Sequence, residues 1–405
     1  MFQQNITKED SVDAQTKQGL RVLMISTDRK IFEEGSAVRA RAIGYAGLLN
    51  ELHVIVFSTR KHKVSGARFQ VSENVFLYPT NSFSRWLYIH DAIKLGHRIL
   101  GSKSYKLTPN AFVITCQDPF ECGLVGSKLS KAFKIPLQVQ IHTDFLSPYF
   151  KKGFLNKSRL RISRRVIPYA DGIRVVSKRI KDSIYGSVYK LKTEPKILPI
   201  FVDADVIENT PANFDLRAKY PQFEKIVLIA SRLEKEKAVD VAIKAFAKVV
   251  KNYPKTGLVI VGDGRERRAL ELKAKSYKLS ANVIFEGWQD DLNSYYKGSD
   301  IFLNTSLYEG YGMSLIEASL NRLAIVTTDV GIAGSGGLLV HAQHAMVCQI
   351  GRADCIEEYL SRLLSNDVGV HGMGFRCYTR VLEQVSTKEQ YYKDIVDGWN
   401  DLVKK

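Results

Sequence analysis

The chain is poor in the features that mark secreted, membrane-spanning or metal-clustered proteins. Its five cysteines, Cys116, Cys122, Cys348, Cys355 and Cys377, form no CxxC pair and are odd in number. That pattern gives no disulfide framework and reads as reduced thiols used for packing in a cytosolic protein. No run of about 18 uninterrupted apolar residues occurs, so no transmembrane helix is expected. The opening residues, MFQQNITKEDSVDAQTKQ, lack the apolar segment of a signal peptide. Residues 1–19 are expected to form a poorly ordered tail. There is no short-period repeat and no low-complexity segment.

Acid is scarce in one half only. Residues 1–200 carry 33 Lys+Arg against 15 Asp+Glu, or +18, and residues 201–405 carry 26 against 27, or −1; together these give the net +17. The densest stretch is KKGFLNKSRLRISRRVIPYADGIRVVSKRIKDSI, residues 151–184. Basic clusters attract phosphates of nucleic acid, anionic lipid or a polyanionic substrate; the plainer reading is a solvated helix face. The basic run lacks interleaved aromatics, and the chain has no zinc or RNP-type motif, so no nucleic-acid partner is expected.

Short apolar runs rich in β-branched residues alternate with helical patterns. RVLMIST (21–27), HVIVFS (53–58), AFVITCQ (111–117), LQVQIHT (137–143), GIRVVS (172–177) and KILPIFV (196–202) read as strands of a first half. The pattern restarts with KIVLIAS (225–231), GLVIVGDG (257–264), NVIFEG (282–287), DIFLNTS (300–306), LAIVTTD (323–329) and MVCQI (346–350). Strand–helix alternation predicts parallel, helix-covered sheets. The final STKEQYYKDIVDGWNDLVKK is a helix with no strand after it.

VGDGRERR (261–268) is not GxGxxG and reads as a tight strand-to-helix turn. SRLEKEKAVD places Arg232 where a strand ends and Lys237 just before the next helix. Ligands bind at the carboxyl ends of parallel strands, so two cations there suit a diphosphate, Arg232 as a fork and Lys237 as a point charge. In NTSLYEGYGMSLIEASL (304–320) a strand ends, Glu309 follows in a loop, and Gly310 and Gly312 lead into a helix near Ser314. A helix start offers free N–H groups and a positive dipole end to an anion. Glu317, within the first turns, is placed to accept hydrogen bonds from paired sugar hydroxyls, or simply to complement the dipole. Glu309 would meet the other end of a phosphate-linked ligand.

LYEGYGMSLIEA resembles the E-x7-E signature of retaining glycosyltransferases of family 4. SRLEKEKAVD resembles their R-L-x-x-x-K-G-x-D segment, LVIVGDG their next strand and turn, and VIFEGWQDDLNSYYKGSDIFLNTS the unit after it. ADGIRVVSKRIKDSI and ILPIFVD are similar to the end of the N-terminal domain and the interdomain crossing. The likeness runs from Leu20 onward and is strongest over 226–318. It implies an α/β, GT-B fold: two Rossmann-like domains with parallel sheets facing across a cleft, and a C-terminal helix crossing back to the first. The domains would be 20–199 for the acceptor and 200–384 for the nucleotide-sugar donor, with 385–405 as the crossing helix.

The resemblance also implies roles. Arg232 and Lys237 would bind the donor diphosphate, Gly312, Met313 and Ser314 would offer backbone donors to phosphate, and Glu317 would hold the ribose. Glu309 would contact the transferred sugar. His142 matches the family's histidine near the reacting centre, and Gly35 and Ser36 its donor-binding loop after the first strand, which approaches donor and acceptor. The chain departs from the pattern at Ala238, where glycine is usual, in NRLAIV (321–326), which lacks Gly-x-Pro, and in DVGIAGSGG, which has no acid soon after its glycines.

The expected activity is transfer of a hexose from a nucleotide-sugar, UDP before GDP, to a hydroxyl of a lipid-linked or polysaccharide acceptor in cell-surface glycan synthesis, with retention. No DxD-like pair lies at the site, so no metal or other cofactor is expected; QDD (289–291) reads as a helix entry. A peripheral position on an anionic cytoplasmic membrane face follows from the basic half. Alternatives are a GT-B epimerase or phosphorylase, a silent fold member acting as a partner subunit, and a non-catalytic basic binding protein.

Overall fold

The computed structural model describes residues 19–62, 66, 68–102 and 112–404. The tail expected at 1–19 lies, except for Gly19, outside the described residues. Fourteen strands are described. They are β1 (Arg21–Ser26), β2 (Glu51–Val56), β3 (Phe69–Ser72), β4 (Val75–Pro79), β5 (Phe112–Cys116), β6 (Leu137–Ile141), β7 (Gly172–Val175), β8 (Lys196–Ile197), β9 (Lys225–Ala230), β10 (Thr256–Val261), β11 (Val283–Gly287), β12 (Ile301–Asn304), β13 (Ala324–Thr328) and β14 (Met346–Cys348).

The chain divides into two compact units. One takes the described residues up to Cys116, with 125–138 and those from 392 on; the other takes 117–124 and 139–391. The division falls inside β6, not at 199/200.

In the first unit the strands run β3-β4-β2-β1-β5. β1 pairs in parallel with β2 and β5, and β2 with β4. The edge hairpin β3–β4 is antiparallel; FQVSENVFLYP was not anticipated as strands. The final helix, Lys388–Val403, enters this unit at Tyr392. Tyr45 packs edge-on against Tyr392 and Trp399, at 5.2 and 5.9 Å. Trp399 is fully buried, and its indole N–H donates to Gln138 Oε1 at 2.9 Å.

The second unit holds the neighbouring strands β6, β7 and β8 and a six-stranded sheet ordered β11-β10-β9-β12-β13-β14. Its pairings are all parallel. In sequence terms that order is 3-2-1-4-5-6, a doubly wound Rossmann arrangement. Its strands are buried on both faces because helices cover both sides. Val239, Ala242, Ile243, Phe246 and Val249 form the buried stripe of one cover helix, Val239–Asn252, at the 3–4 residue spacing that an amphipathic helix requires.

Two expectations need correction. Cys348 and Cys355 are joined in a disulfide, with Cα atoms 5.9 Å apart; the turn at Gly351 (φ +80°) brings the end of β14 beside the start of the helix Ala353–Leu364. Cys116, Cys122 and Cys377 are buried. The basic stretch 151–184 is also not one surface. Arg174 is buried and donates to Gln140 Oε1, Leu198 O, Pro199 O and the Tyr391 hydroxyl at 2.9–3.2 Å. Arg159 pairs with Glu121.

Candidate active site

In a doubly wound sheet the ligand crevice opens where the strand order reverses, between the carboxyl ends of strands 1 and 4. Here those strands are β9 and β12, and the two sequence motifs emerge from them. After β9 the chain runs through Arg232 into a short 3-10 turn, Lys235–Lys237. Ala238 then takes a left-handed conformation, φ +45°, before the helix Val239–Asn252. That conformation is the reason glycine suits this position and a methyl-bearing residue is strained there. Arg322, in the turn before β13, is likewise left-handed at φ +58°.

The glycine turn after β10 supports this segment. Ser231 N donates to Val261 O at 3.0 Å and Leu233 N to Asp263 O at 2.8 Å. A Cβ at Gly262 or Gly264 would overlap the carbonyl oxygens of Ser231 or Leu233. These glycines therefore serve close backbone approach, in agreement with the tight-turn reading.

The loop after β12 is stitched to the first. Thr305 Oγ1 donates to Lys237 O at 2.9 Å, and Leu307 N to Glu236 O at 2.7 Å. The Lys237 ammonium forms an ion pair with Glu309 Oε1, both side chains mostly buried. The Ser306 hydroxyl lies 2.8 Å from the same carboxylate oxygen and 2.7 Å from Asn304 Oδ1, with one proton to share between them. Glu309 is thus fixed in direction. Arg232 is brought to the same strand end but not to Glu309; it is two-thirds exposed and pairs with Glu236 at 3.2 Å. Such exposed pairs are weak, so the guanidinium can exchange Glu236 for a phosphate.

Gly312, φ +94°, turns the chain into the helix Met313–Leu320, and no side chain caps its first turn. The backbone N–H groups at Gly312, Met313 and Ser314 are placed for an anion. Glu317 lies on this helix. Its Oε2 accepts from the Tyr296 hydroxyl at 2.9 Å. Burial raises its pKa, only partly countered by that bond. The same burial, with Glu317 beside it, pushes the Tyr296 phenol up, so Tyr296 stays a donor.

His142 stands just past β6, its Nε2 3.1 Å from Gln140 Oε1. Its backbone is pressed against Gly310: a Cβ there would overlap the His142 carbonyl oxygen and lie 3.1 Å from Thr143 Cα. The ring of Phe150 meets that of Tyr308 at 5.8 Å, edge to face. The loop after β6 and the Glu309 loop are therefore one packed wall. Gly35 (φ +76°) and Ser36 belong to the first unit, where the Ser36 hydroxyl caps the helix Ala37–Ala46 by accepting from Arg39 N at 3.2 Å.

Sequence reading missed a clamp on this wall. Ser177 Oγ donates to Gly310 O at 2.8 Å. Two residues on, Arg179 donates to Gly331 O at 3.1 Å and Ala333 O at 2.9 Å and forms an ion pair with Asp329. That pairing holds the Asp329 carboxyl below its usual range despite its burial. Gly331, φ +55°, packs on Glu309: a Cβ there would lie 3.2 Å from the Glu309 Cβ and 2.9 Å from the Tyr311 carbonyl carbon. Ser177 and Arg179 thus set both sides of the Glu309 loop. The one local signal was Ser177 as a helix cap; nothing in SKRI announces its long-range partners.

Residues 215–374 match the family model of glycosyl transferases group 1. The alpha-monoglucosyldiacylglycerol synthase of Streptococcus pneumoniae is 29% identical over 237 residues, 56% of this chain and 52% of that protein; the matched stretch thus spans about half the relative's length. Among solved structures, Anabaena HepE in complex with UDP and glucose superposes with a TM-score of 0.72 at 17% identity, over 93% of this chain and 98% of that one. Sucrose-phosphate synthase of Thermosynechococcus elongatus gives 0.75 at 18%, over 95% and 99%. The switch-point site and these likenesses agree: the chain has the GT-B fold, and its residues 215–374 are similar to glycosyl transferases group 1.

Proposed function

We propose that the protein is a retaining glycosyltransferase of family 4 that moves a hexose from a UDP-sugar, with GDP-sugars second, to a hydroxyl of a lipid-linked or polysaccharide acceptor in cell-surface glycan synthesis. The observation that carries this is the Lys237–Glu309 pair at the switch point of a Rossmann-order sheet, beside an uncapped helix start. Arg232, Lys237 and the N–H groups at 312–314 take the diphosphate and absorb its charge as the C1–oxygen bond breaks, without a metal. Glu309 orients the sugar, and Glu317 takes the ribose hydroxyls. The acceptor oxygen bonds to C1 on the face the phosphate leaves, and its proton passes to the departing diphosphate. His142 borders the reacting carbon.

UDP and a lipid acceptor are favoured by what HepE and the S. pneumoniae synthase are named for. A peripheral position on an anionic cytoplasmic membrane face is part of the proposal. The helix Phe154–Val166 has no acid and exposes Lys157, Arg161, Arg164 and Arg165, just after exposed Lys151 and Lys152. Among the described residues no helix is long and apolar enough to cross a membrane.

The test is transfer over a panel of UDP-, GDP- and ADP-sugars with diacylglycerol and saccharide acceptors, the product anomer read by NMR. Turnover with retained configuration is expected. Glu309→Gln and Lys237→Ala should each lower it about 10²–10³-fold in folded protein. No turnover and no donor binding across the panel would overturn the reading.

A further inference from the structure

The first unit carries an apolar projection that its own fold leaves uncovered. Phe83 is 79% and Trp86 91% exposed, and Leu87 is also exposed. They sit in the turn between β4 and the helix Tyr88–Leu100. A tryptophan so completely outside the core, three residues from an exposed phenylalanine, is uncommon in a soluble domain.

The projection is rigidly based. Ser82 N donates to Ser58 O at 2.9 Å, Arg60 N to Ser82 O at 3.2 Å and Asn81 N to Ser58 Oγ at 3.1 Å. Tyr88 packs on Phe57 with ring centroids 5.3 Å apart. The tip is therefore presented, not left over from a loose loop. Arg85 within it, and Arg60 and Lys61 on the strand-end segment bonded to it, are exposed. Residues 80–90 contain no acid. β1, β2 and β4 are parallel, so the residues after them leave the sheet at one end. Gly35 and Ser36, on the loop expected to approach donor and acceptor, follow β1; Arg60 and Lys61 follow β2; Phe83 and Trp86 follow β4.

We propose that Phe83, Trp86 and Leu87 insert into the interfacial layer of an anionic membrane, with Arg60, Lys61 and Arg85 against its headgroups, so that the Gly35–Ser36 loop faces the lipid surface. An aromatic tip within a cationic collar is the chemistry of a bilayer interface: amphipathic rings settle at headgroup depth, and the collar is drawn by anionic lipid. This rests on the membrane position proposed above, but it names a second, apolar element distinct from the helix Phe154–Val166.

The test uses Trp86 as its own probe. Full-length protein is mixed with vesicles of phosphatidylcholine and phosphatidylglycerol whose acyl chains are brominated. Trp399 is fully buried, so the accessible signals are Trp86 and Trp288. The expected results are quenching that survives Trp288→Phe and disappears in Trp86→Phe. Phe83→Ser/Trp86→Ser should weaken vesicle binding by about tenfold or more, while donor hydrolysis and transfer to a water-soluble short-chain acceptor stay at the wild-type rate. Quenching unchanged in Trp86→Phe, or wild-type flotation of the double variant, overturns the inference and leaves binding by the basic helix standing. A concentration-dependent dimer that shields Trp86 overturns it too. Loss of donor turnover in the wild-type chain would strike the glycosyltransferase reading instead.

Discussion

Gly310→Ala tests whether the His142 and Glu309 loops act as one wall. A methyl there would overlap the His142 carbonyl oxygen and stand 2.6 Å from its carbon. Ordinary contact begins at 3.4 Å and the His142 carbonyl oxygen would stand at only about half that distance, so the backbones must part by well over an ångström. Neither side yields freely: the Gly310 carbonyl is held by Ser177 Oγ, and Glu309 by Lys237 and Ser306. A displacement of about 1 Å at a reacting centre costs roughly 10²-fold in rate, or about 2.7 kcal/mol in the barrier. Overpacking should cost about 1–3 kcal/mol of stability. The assay pairs kcat and donor KM with urea unfolding of the same preparation. The expected result is a folded protein with a much lower kcat and a raised donor KM as well, because Lys237 and the N–H groups at 312–314 adjoin the displaced loop. A kcat within about threefold of wild type would refute the claim that this contact sets catalytic geometry.

Arg179→Met should lower transfer and cost about 1.5–3 kcal/mol in urea unfolding, the worth of its bonds to Asp329 and two carbonyls; Arg179→Lys, which keeps the charge but not the fork, should restore only part of either. Ala238→Gly relieves about 1–2 kcal/mol of left-handed strain, less about 0.5–1 kcal/mol for the freer unfolded chain. Denaturation should therefore show a gain of up to about 1.5 kcal/mol, and a clear loss would contradict the strain argument. His53 is buried, its ring nitrogens 3.0 Å from the Tyr78 hydroxyl and Glu51, and burial lowers its pKa from 6.5 despite Glu51. The folded state keeps it neutral while the unfolded chain takes up a proton, so stability should fall as pH drops below 6.5 and level off below the folded value. The slope from this group is at most about 1.4 kcal/mol per pH unit, and it should vanish in His53→Gln.

Most of the fold was legible because parallel strands buried on both faces write themselves as continuous apolar runs. Eleven of the twelve anticipated strands differ from the observed ones only at their ends. KILPIFV is the exception: only Lys196–Ile197 is strand, and its carbonyls at Leu198 and Pro199 go to Arg174 instead of a neighbouring strand. In FQVSENVFLYP, β3 is short, antiparallel and only half-buried, with little apolar signal, whereas β4 is a fully buried apolar run that sequence reading missed. The disulfide was hidden because Cys348 and Cys355 are in range only through a strand-to-helix turn that spacing does not reveal.

The site divides along the same physical line. Residues whose placement depends on a local element, namely Lys237 at a strand end and Gly312 to Glu317 at a helix start, could be located from motif and element together. Those whose role depends on a partner far along the chain could not. Arg179 looked like one more charge in a basic run, yet its acceptors lie about 150 residues away at Asp329 and Gly331. Glu309 and Glu317 looked alike, but one is held by an ammonium and a hydroxyl and the other by burial and a phenol. Under the proposed reading, these distinct environments would let two carboxylates eight positions apart serve opposite ends of one ligand: the fixed Glu309 would orient a sugar, while Glu317, whose Oε2 accepts from Tyr296, would offer its other oxygen to a hydroxyl pair.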